Sequence, residues 1–208
     1  MAAFEPRLSF PLAADSPGAS LATAPSSHPL IRPASPQDVT QLTHLLATSF
    51  YADCGWKRLV FPVLKLGIQE DLKQRLTYTK PNYACLAAYS AAEGIVAGTV
   101  EISQRQSWPW QGLPSSYGYL SNLAVDRTFR RQGIAKAMLA HCERLAQQWS
   151  VADLYLHVME DNLQARRLYQ LAGFRLCRVE ESPATWFGLQ ARRMLLHKAI
   201  ALESVIAP

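Results

Sequence analysis

The sequence is short of several things at once. Only 18% of its 208 residues are charged, below the roughly 25% of an average globular domain. Cysteine occurs four times, as Cys54, Cys85, Cys142 and Cys177, and no pair stands at C-x-x-C or C-x-x-H spacing. That spacing argues against a metal site, and four cysteines in a chain of this length make no disulfide scaffold. They read as reduced thiols of an intracellular protein, buried as small apolar residues. A long apolar run is also missing. The best stretch, Cys85 to Val100, is broken by Tyr89, Ser90 and Glu93. It falls short of the roughly 18 unbroken apolar residues of a membrane helix, so no membrane partner is expected. The first 28 residues carry only Glu5, Arg7 and Asp15 as charges. They are rich in Ala, Ser and Pro, without helical or strand period, and read as a flexible tail. The scarcity of acids leaves a plastid transit peptide open as the alternative, although a single Arg is few for one. No continuous apolar stretch with a basic start marks a secretory signal.

What is present points to one domain beyond that tail, over residues 29–208. Hydrophobic residues make up 49% of the chain, enough for one sizeable core. Lys and Arg exceed Asp and Glu by 21 − 16 = 5, with a pI of about 9.1. Such a balance suits nucleotides, phosphates, nucleic acid or acidic surfaces and chooses none of them.

From Leu30 the pattern alternates between helices and strands. Leu30 to Ala34 suits a short strand, and Ser35-Pro36 an N-cap with proline at the first helical position. Val39, Leu42, Leu45 and Leu46 then recur at helical spacing. A second helix is expected over about Val63 to Leu76. Tyr83 to Tyr89 and Ile95 to Ile102 read as a strand pair turning near Gly94, residues 105–116 as a loop, and Tyr117 to Val125 as another strand. Ile134, Met138, Cys142, Leu145 and Trp149 mark one stripe of a helix. Leu154 to Met159 is a strand. Asn162 caps a short helix whose face holds Ala165, Leu168 and Tyr169, and Gly173 stops it. Phe174 to Val179 and Ala191 to His197 close the chain as strands.

The chemistry concentrates between Asp126 and Lys136, where four positive charges and one negative lie on a turn leading into a helix. Unpaired N–H groups at a helix start form an anion site, and Gly133 and the small Ala135 let a ligand approach that backbone. A basic helix start opposes the helix dipole, and a bound pyrophosphate would account for it. An amphipathic helix with a basic start is the bland alternative.

Here the sequence resembles a known family. Arg130-x-x-Gly133-x-Ala135 fits the Q/R-x-x-G-x-G/A acetyl-CoA motif of the GNAT acetyltransferases, and Asn162-x-x-Ala165-x-x-x-Tyr169-x-x-x-Gly173-Phe174 fits that family's second motif. The resemblance covers roughly residues 30 to 200, and the stretch Phe61 to Leu76 is similar to the plastid and cyanobacterial branch. It implies a mixed α/β fold with a mostly antiparallel twisted sheet of about seven strands, flanked by about four helices. The strands Tyr117 to Val125 and Leu154 to Met159 would splay at the acetyl-CoA site. It implies cofactor contacts from Leu123, Ala124 and Val125, from Arg130, Arg131, Gln132, Gly133, Ile134, Ala135 and Lys136, and from Asn162, Ala165 and Tyr169. Tyr169 matches the family's general acid, an N–H near Val125 its oxyanion donor, and no metal is implied.

Many family members carry Glu where this sequence has Tyr119. Strand alternation sets Tyr155 and His157 on one face and Leu154, Leu156 and Val158 on the other. A Tyr on the first strand with a His on the second is similar to certain N-terminal protein acetyltransferases, which implies Tyr119 and His157 as the pair that removes the amine proton. Glu101 is a fallback base, and Ser121, on the face of Tyr119, a substrate contact. Trp108 and Trp110 either line the acceptor groove or anchor their loop; Trp56 and Trp186 read as core or edge residues. The function implied is transfer of acetyl from acetyl-CoA to protein amines, at α-amino groups and at lysine, with a small arylalkylamine acceptor or a non-catalytic acetyl-CoA sensor as alternatives. Nucleic acid is not expected, because the one dense basic cluster coincides with the acyl-CoA motif. The setting implied is soluble and intracellular, in cytoplasm or plastid stroma.

Overall fold

Ser35 starts the first helical segment. Its N–H and its hydroxyl both donate to Asp38 Oδ2, at 2.7 and 2.8 Å, closing a tight turn over Pro36–Asp38 that runs into α1 (Val39–Tyr51). Val39, Leu42, Leu45 and Leu46 are buried as their spacing requires. The computed structural model describes residues 29–51, 57–78, 80–90, 94–108, 110, 112–186 and 190–202. The tail expected over residues 1–28, and the readings of Cys54 and Trp56, lie outside the described residues.

The second helix, α2 (Lys57–Thr77), begins six residues before the expected Val63 and passes through Pro62. It lies with α1 on one face of a seven-stranded sheet. The strands are β1 (Leu30–Pro33), β2 (Tyr83–Tyr89), β3 (Val96–Gln106), β4 (Ser116–Val125), β5 (Asp153–Met159), β6 (Arg175–Glu180) and β7 (Arg193–Ala199). Their order is β1-β2-β3-β4-β5-β7-β6, antiparallel throughout except for β4 beside β5. The loop expected over 105–116 is shorter, because Arg105 and Gln106 pair with Tyr117 and Ser116 and lengthen the hairpin.

The opposite face carries α3 (Ile134–Gln148) and α4 (Leu163–Leu171). Ile134, Met138 and Cys142 are buried as the stripe predicts. Leu139 and Ala146 are buried with them, while Leu145 and Trp149 lie at the margin. A 3.6-residue period drifts around the helix, so a long stripe cannot stay centred on one line. These side chains meet Leu86, Val100, Ile102, Leu120, Leu154 and Leu156 in the main core. α3 comes close to the sheet at Gly98, where a Cβ would stand 2.9 Å from Met138 Cε. A single helical turn, α5 (Pro183–Trp186), was not expected from the sequence. Its Trp186 is an exposed edge residue. Among the described residues, no helix is long and apolar enough to cross a membrane.

Candidate active site

Two irregularities of the sheet make the site. The first is a bulge in β4. Glu101 pairs with Ser121 but Thr99 with Ala124, so Asn122 and Leu123 together stand against Val100. Asn122 takes φ 54° there, a left-handed conformation that Asn tolerates better than most residues. The extra residue reverses the alternation. Tyr119 and Ser121 face the α1/α2 side, whereas Leu123 and Val125 pack toward α3 and α4. The second irregularity is the splay of β4 from β5. They pair only at Gly118–Leu154, Tyr119–Tyr155 and Leu120–Leu156, and beyond Leu120 they part.

Beside the part of β4 beyond Leu120, between it, α1, α3 and α4, lies a cavity of about 450 Å³. Every residue expected at the cofactor lines it except Gln132, which is exposed at the turn. Arg127, Arg130, Arg131 and Lys136 ring its mouth. Asp126 holds the turn by accepting the Thr128 N–H at 2.9 Å. Arg130 Nε donates to the Val125 carbonyl at 3.1 Å. Arg131 and Gly133 take φ 65° and 78°, left-handed conformations of the kind that build anion-binding turns. The first bond of α3 is Ala137 N–H to Gly133 O, at 3.0 Å. The amides of Ile134, Ala135 and Lys136 therefore precede the helix's own bonds and remain available. Free amides, four cations and a cavity beside the parted end of β4 suit a pyrophosphate-bearing thioester such as acetyl-CoA. Ser49 and Phe50 of α1, Phe129, Gln164 and Leu168 complete the wall. The sequence offered no motif for the two α1 residues, since only α1 crossing that face brings them there.

Tyr169 reaches the cavity from α4, 8% exposed and edge-on to Phe174 with 5.9 Å between ring centroids. Burial pushes its phenol up to about 12. It therefore keeps its proton across the neutral range.

On the other face, Tyr119 Oη lies 2.8 Å from His157 Nδ1. His157 Nε2 is 3.1 Å from Glu180 Oε2, a charge contact with the N–H off the line between them. A carboxylate beside Nε2 favours the tautomer with its proton on that nitrogen and leaves Nδ1 to accept from Tyr119. Burial pushes the Glu180 carboxyl up, but His157, Arg178 at 3.2 Å and Arg193 outweigh it and hold the group below its ordinary value. Burial raises the Tyr119 phenol despite Arg105 and Arg193. The Arg105 guanidinium sits 3.6 Å from the Tyr119 ring centroid. Sequence reasoning missed Glu180 and Arg105. Glu180 lies two strands from His157, across β7, and no local spacing signals that approach.

Glu101, the fallback base, is fully engaged. Its oxygens accept from Arg75 Nη1 at 2.7 Å and Asn122 Nδ2 at 2.8 Å. With Ser121 and Arg105 it lines a second cavity, of about 600 Å³. Trp108 and Trp110 form an exposed stack, 5.1 Å between centroids, and line neither cavity. Their loop is held by Leu113 against Tyr117, Tyr155 and Leu195, and by Ser107 Oγ donating to the Pro114 carbonyl at 2.6 Å. Cys85 and Cys142 are buried, with thiols pushed up to about 12 by burial, and Cys177 is exposed on β6. No group of His, Cys, Asp and Glu that could hold a metal occurs among the described residues.

Comparison with known proteins agrees with this fold. The model of the acetyltransferase (GNAT) family matches residues 40–174. GCN5-related N-acetyltransferase 10, chloroplastic, of Arabidopsis thaliana is 35% identical over 151 residues, 66% of this chain and 58% of that protein. The [ribosomal protein bS18]-alanine N-acetyltransferase of Escherichia coli is 40% identical over 55 residues, 26% of this chain and 37% of that enzyme. Among solved structures, the PaiA N-acetyltransferase of Thermoplasma acidophilum in complex with coenzyme A superposes with a TM-score of 0.64 at 16% identity, covering 82% of this chain and 98% of that one. The chain spans 36% to 58% of the length of the first Arabidopsis relatives it matches.

Proposed function

Because this chain belongs to the GNAT acetyltransferase family, we propose that it is an acetyl-CoA-dependent N-acetyltransferase of protein amines, acting on N-terminal α-amino groups and secondarily on lysine. The observation that carries the reading is the 2.8 Å contact of Tyr119 with His157, set across the parted strands from the basic cradle. One sheet opening thus meets an anion site on one face and a proton acceptor on the other. The alanine specificity of the bS18 N-acetyltransferase relative supports a protein α-amine as acceptor. The chloroplastic names of the Arabidopsis relatives support a plastid-type enzyme, with the cytoplasm as the alternative setting.

The roles divide by face. Acetyl-CoA, when bound, supplies an acetyl thioester whose C–S bond breaks as the acceptor forms its C–N bond. The amides of Ile134 to Lys136, with Arg130 and Arg131, hold the pyrophosphate, and Asn162 and Ala165 border the remainder. An amine is protonated at neutral pH and must lose a proton before it attacks. That proton passes through water to Tyr119 Oη as Tyr119 hands its own to His157 Nδ1, with Glu180 holding the imidazole. Tyr169 donates its O–H to the sulfur that departs. Counted from the ammonium, the nitrogen gives up two protons, one to His157 before attack and one as the amide forms. The second restores the Tyr169 O–H given to the sulfur, and the first leaves His157 for solvent, so each transfer releases one proton. No cysteine lines either cavity among the described residues, which favours direct transfer over an acyl-enzyme.

Two matched peptides test this, one with a free α-amine and no lysine, the other with a blocked N-terminus and one lysine. Acetylation of the first, alone or faster, is the expected result. Acetylation of the lysine peptide alone would remove the Tyr119/His157 assignment. Transfer to neither, with acetyl-CoA still bound, would point to a small arylalkylamine acceptor or a sensor.

A further inference from the structure

The second cavity has charge left over. It lies between the C-terminal part of α2 and strands β2 to β4, and five charged side chains line it: Asp71, Arg75, Lys80, Glu101 and Arg105. Three of them form a closed set. Asp71 accepts from Arg75 Nε at 3.0 Å through one oxygen and meets Nη2 at 2.8 Å through the other. Glu101 accepts from Arg75 and Asn122 through its two oxygens. All four carboxylate oxygens have donors, and the five charged side chains of the lining together carry a net charge of +1. Lys80 and Arg105 have no ion pair among the described residues. The face of the Arg105 guanidinium lies on the Tyr119 ring, which leaves its N–H edges for a planar acceptor.

We propose that this cavity binds a carboxylate of the acceptor, so that the enzyme selects protein N-termini carrying Asp or Glu within the first few residues. The proposal rests on the acetyltransferase reading above and names its substrate class. Arg105 is the link between the two. It covers Tyr119, the residue that takes the amine proton, and lines the cavity whose other unspent cation is Lys80. A carboxylate there meets a guanidinium edge and an ammonium. A basic side chain at the same place meets those two cations in a lining of net charge +1, so repulsion sharpens the choice.

Three peptides with a free N-terminal alanine and Glu, Gln or Arg at the next two positions, each labelled at its C-terminus, test it with the full chain. Peptide Kd by fluorescence anisotropy and kcat/KM for acetylation are measured separately. The Glu peptide should bind about tenfold more tightly than the Gln peptide, with the Arg peptide weaker still, and the difference should lie in KM. Lys80→Glu and, independently, Arg105→Glu should abolish the order or reverse it. Equal Kd for the three peptides, or an unchanged Glu preference in both variants, overturns the proposal. If the Glu peptide binds preferentially and none is acetylated, the carboxylate site stands and the transferase reading falls. If all three are acetylated with equal Kd, the transferase reading stands and the carboxylate site falls.

Discussion

Tyr169→Phe removes one oxygen from the site and leaves nearly everything else in place. The ring stays edge-on to Phe174, and the hydroxyl has no hydrogen-bond partner among the described residues, so no native contact is lost with it. The change in stability should stay within about 1 kcal/mol. The kinetic effect should be much larger. Burial has pushed the phenol to about 12, so it is protonated at every pH where the enzyme would work and can donate to a sulfur gaining charge. A hydrogen bond to a charged group contributes about 1.5 to 3 kcal/mol, which converts to a fall in kcat of about 10- to 150-fold. Acetyl-CoA affinity should change by less than about threefold, because the phosphate-binding amides belong to α3 and its preceding turn. Thiol release gives kcat, calorimetric titration gives Kd, and a thermal melt checks the fold. The wild-type rate should show no alkaline decline attributable to Tyr169 below about pH 10, well short of where a phenol at about 12 titrates. A variant with kcat within about twofold of wild type would refute the reasoning. It would leave Tyr169 as a packing residue of a short helix.

Three further outcomes follow from the same geometry. Glu180→Leu removes the acceptor beside His157 Nε2 and should lower kcat by about tenfold with acetyl-CoA KM unchanged, by analogy with the loss of other residues that orient an imidazole. Glu180→Gln should restore most of the rate, and nitrogen NMR should show the Nε2–H tautomer lost in the Leu variant and kept in the Gln variant; identical tautomers in all three proteins would exclude the orienting role. Gly133→Ala meets no atom within 4 Å but must hold φ 78°, so its cost is backbone alone, about 1 to 2 kcal/mol. It should weaken acetyl-CoA by about 5- to 30-fold, because the substituted residue belongs to the basic turn before α3; unchanged affinity would detach that turn from the ligand. Asp38 is 5% exposed, and against the effect of burial, Tyr89, Ser35 and Arg32 hold its carboxyl below the usual range. A depressed native value adds stability that is present above the unfolded value of about 3.9 and lost as pH falls through the native one. Asp38→Asn should therefore cost about 1 to 3 kcal/mol at neutral pH, with the gap to wild type in urea melts closing on acidification; a gap that stays constant with pH would count against the charge.

Much of the molecule could be read without coordinates because the relevant forces are local. The Ser35-Pro36 start, the Asn162 cap and the Gly173 stop act within one helical turn, and each stands where the sequence places it. Alternation along β5 separates Leu154, Leu156 and Val158 from Tyr155 and His157, as found. Both motifs are contiguous segments that fold as single turns and helix starts, and twelve of the thirteen residues expected at the cofactor line one cavity. The misreadings arose where longer-range pairing overrode composition. Arg105 and Gln106 look like loop beside Ser107 and Trp108, yet the ladder with β4 extends through them.

Residue order by itself therefore determined most elements, their caps, the faces of β5 and the basic turn before α3, since hydrogen bonds and period over a few residues decide these. Tertiary structure alone decided what faces what across strands. It brought Glu180 to His157 over β7, joined Arg75 to Glu101, and left Lys80 and Arg105 as unspent cations in the second cavity. It also placed the bulge at Asn122, which sends Tyr119 and Val125 to opposite faces although odd-numbered residues of one unbroken strand would share a side. Those relations depend on register and strand order, set by the packing of the whole sheet against four helices and by no short stretch of chain.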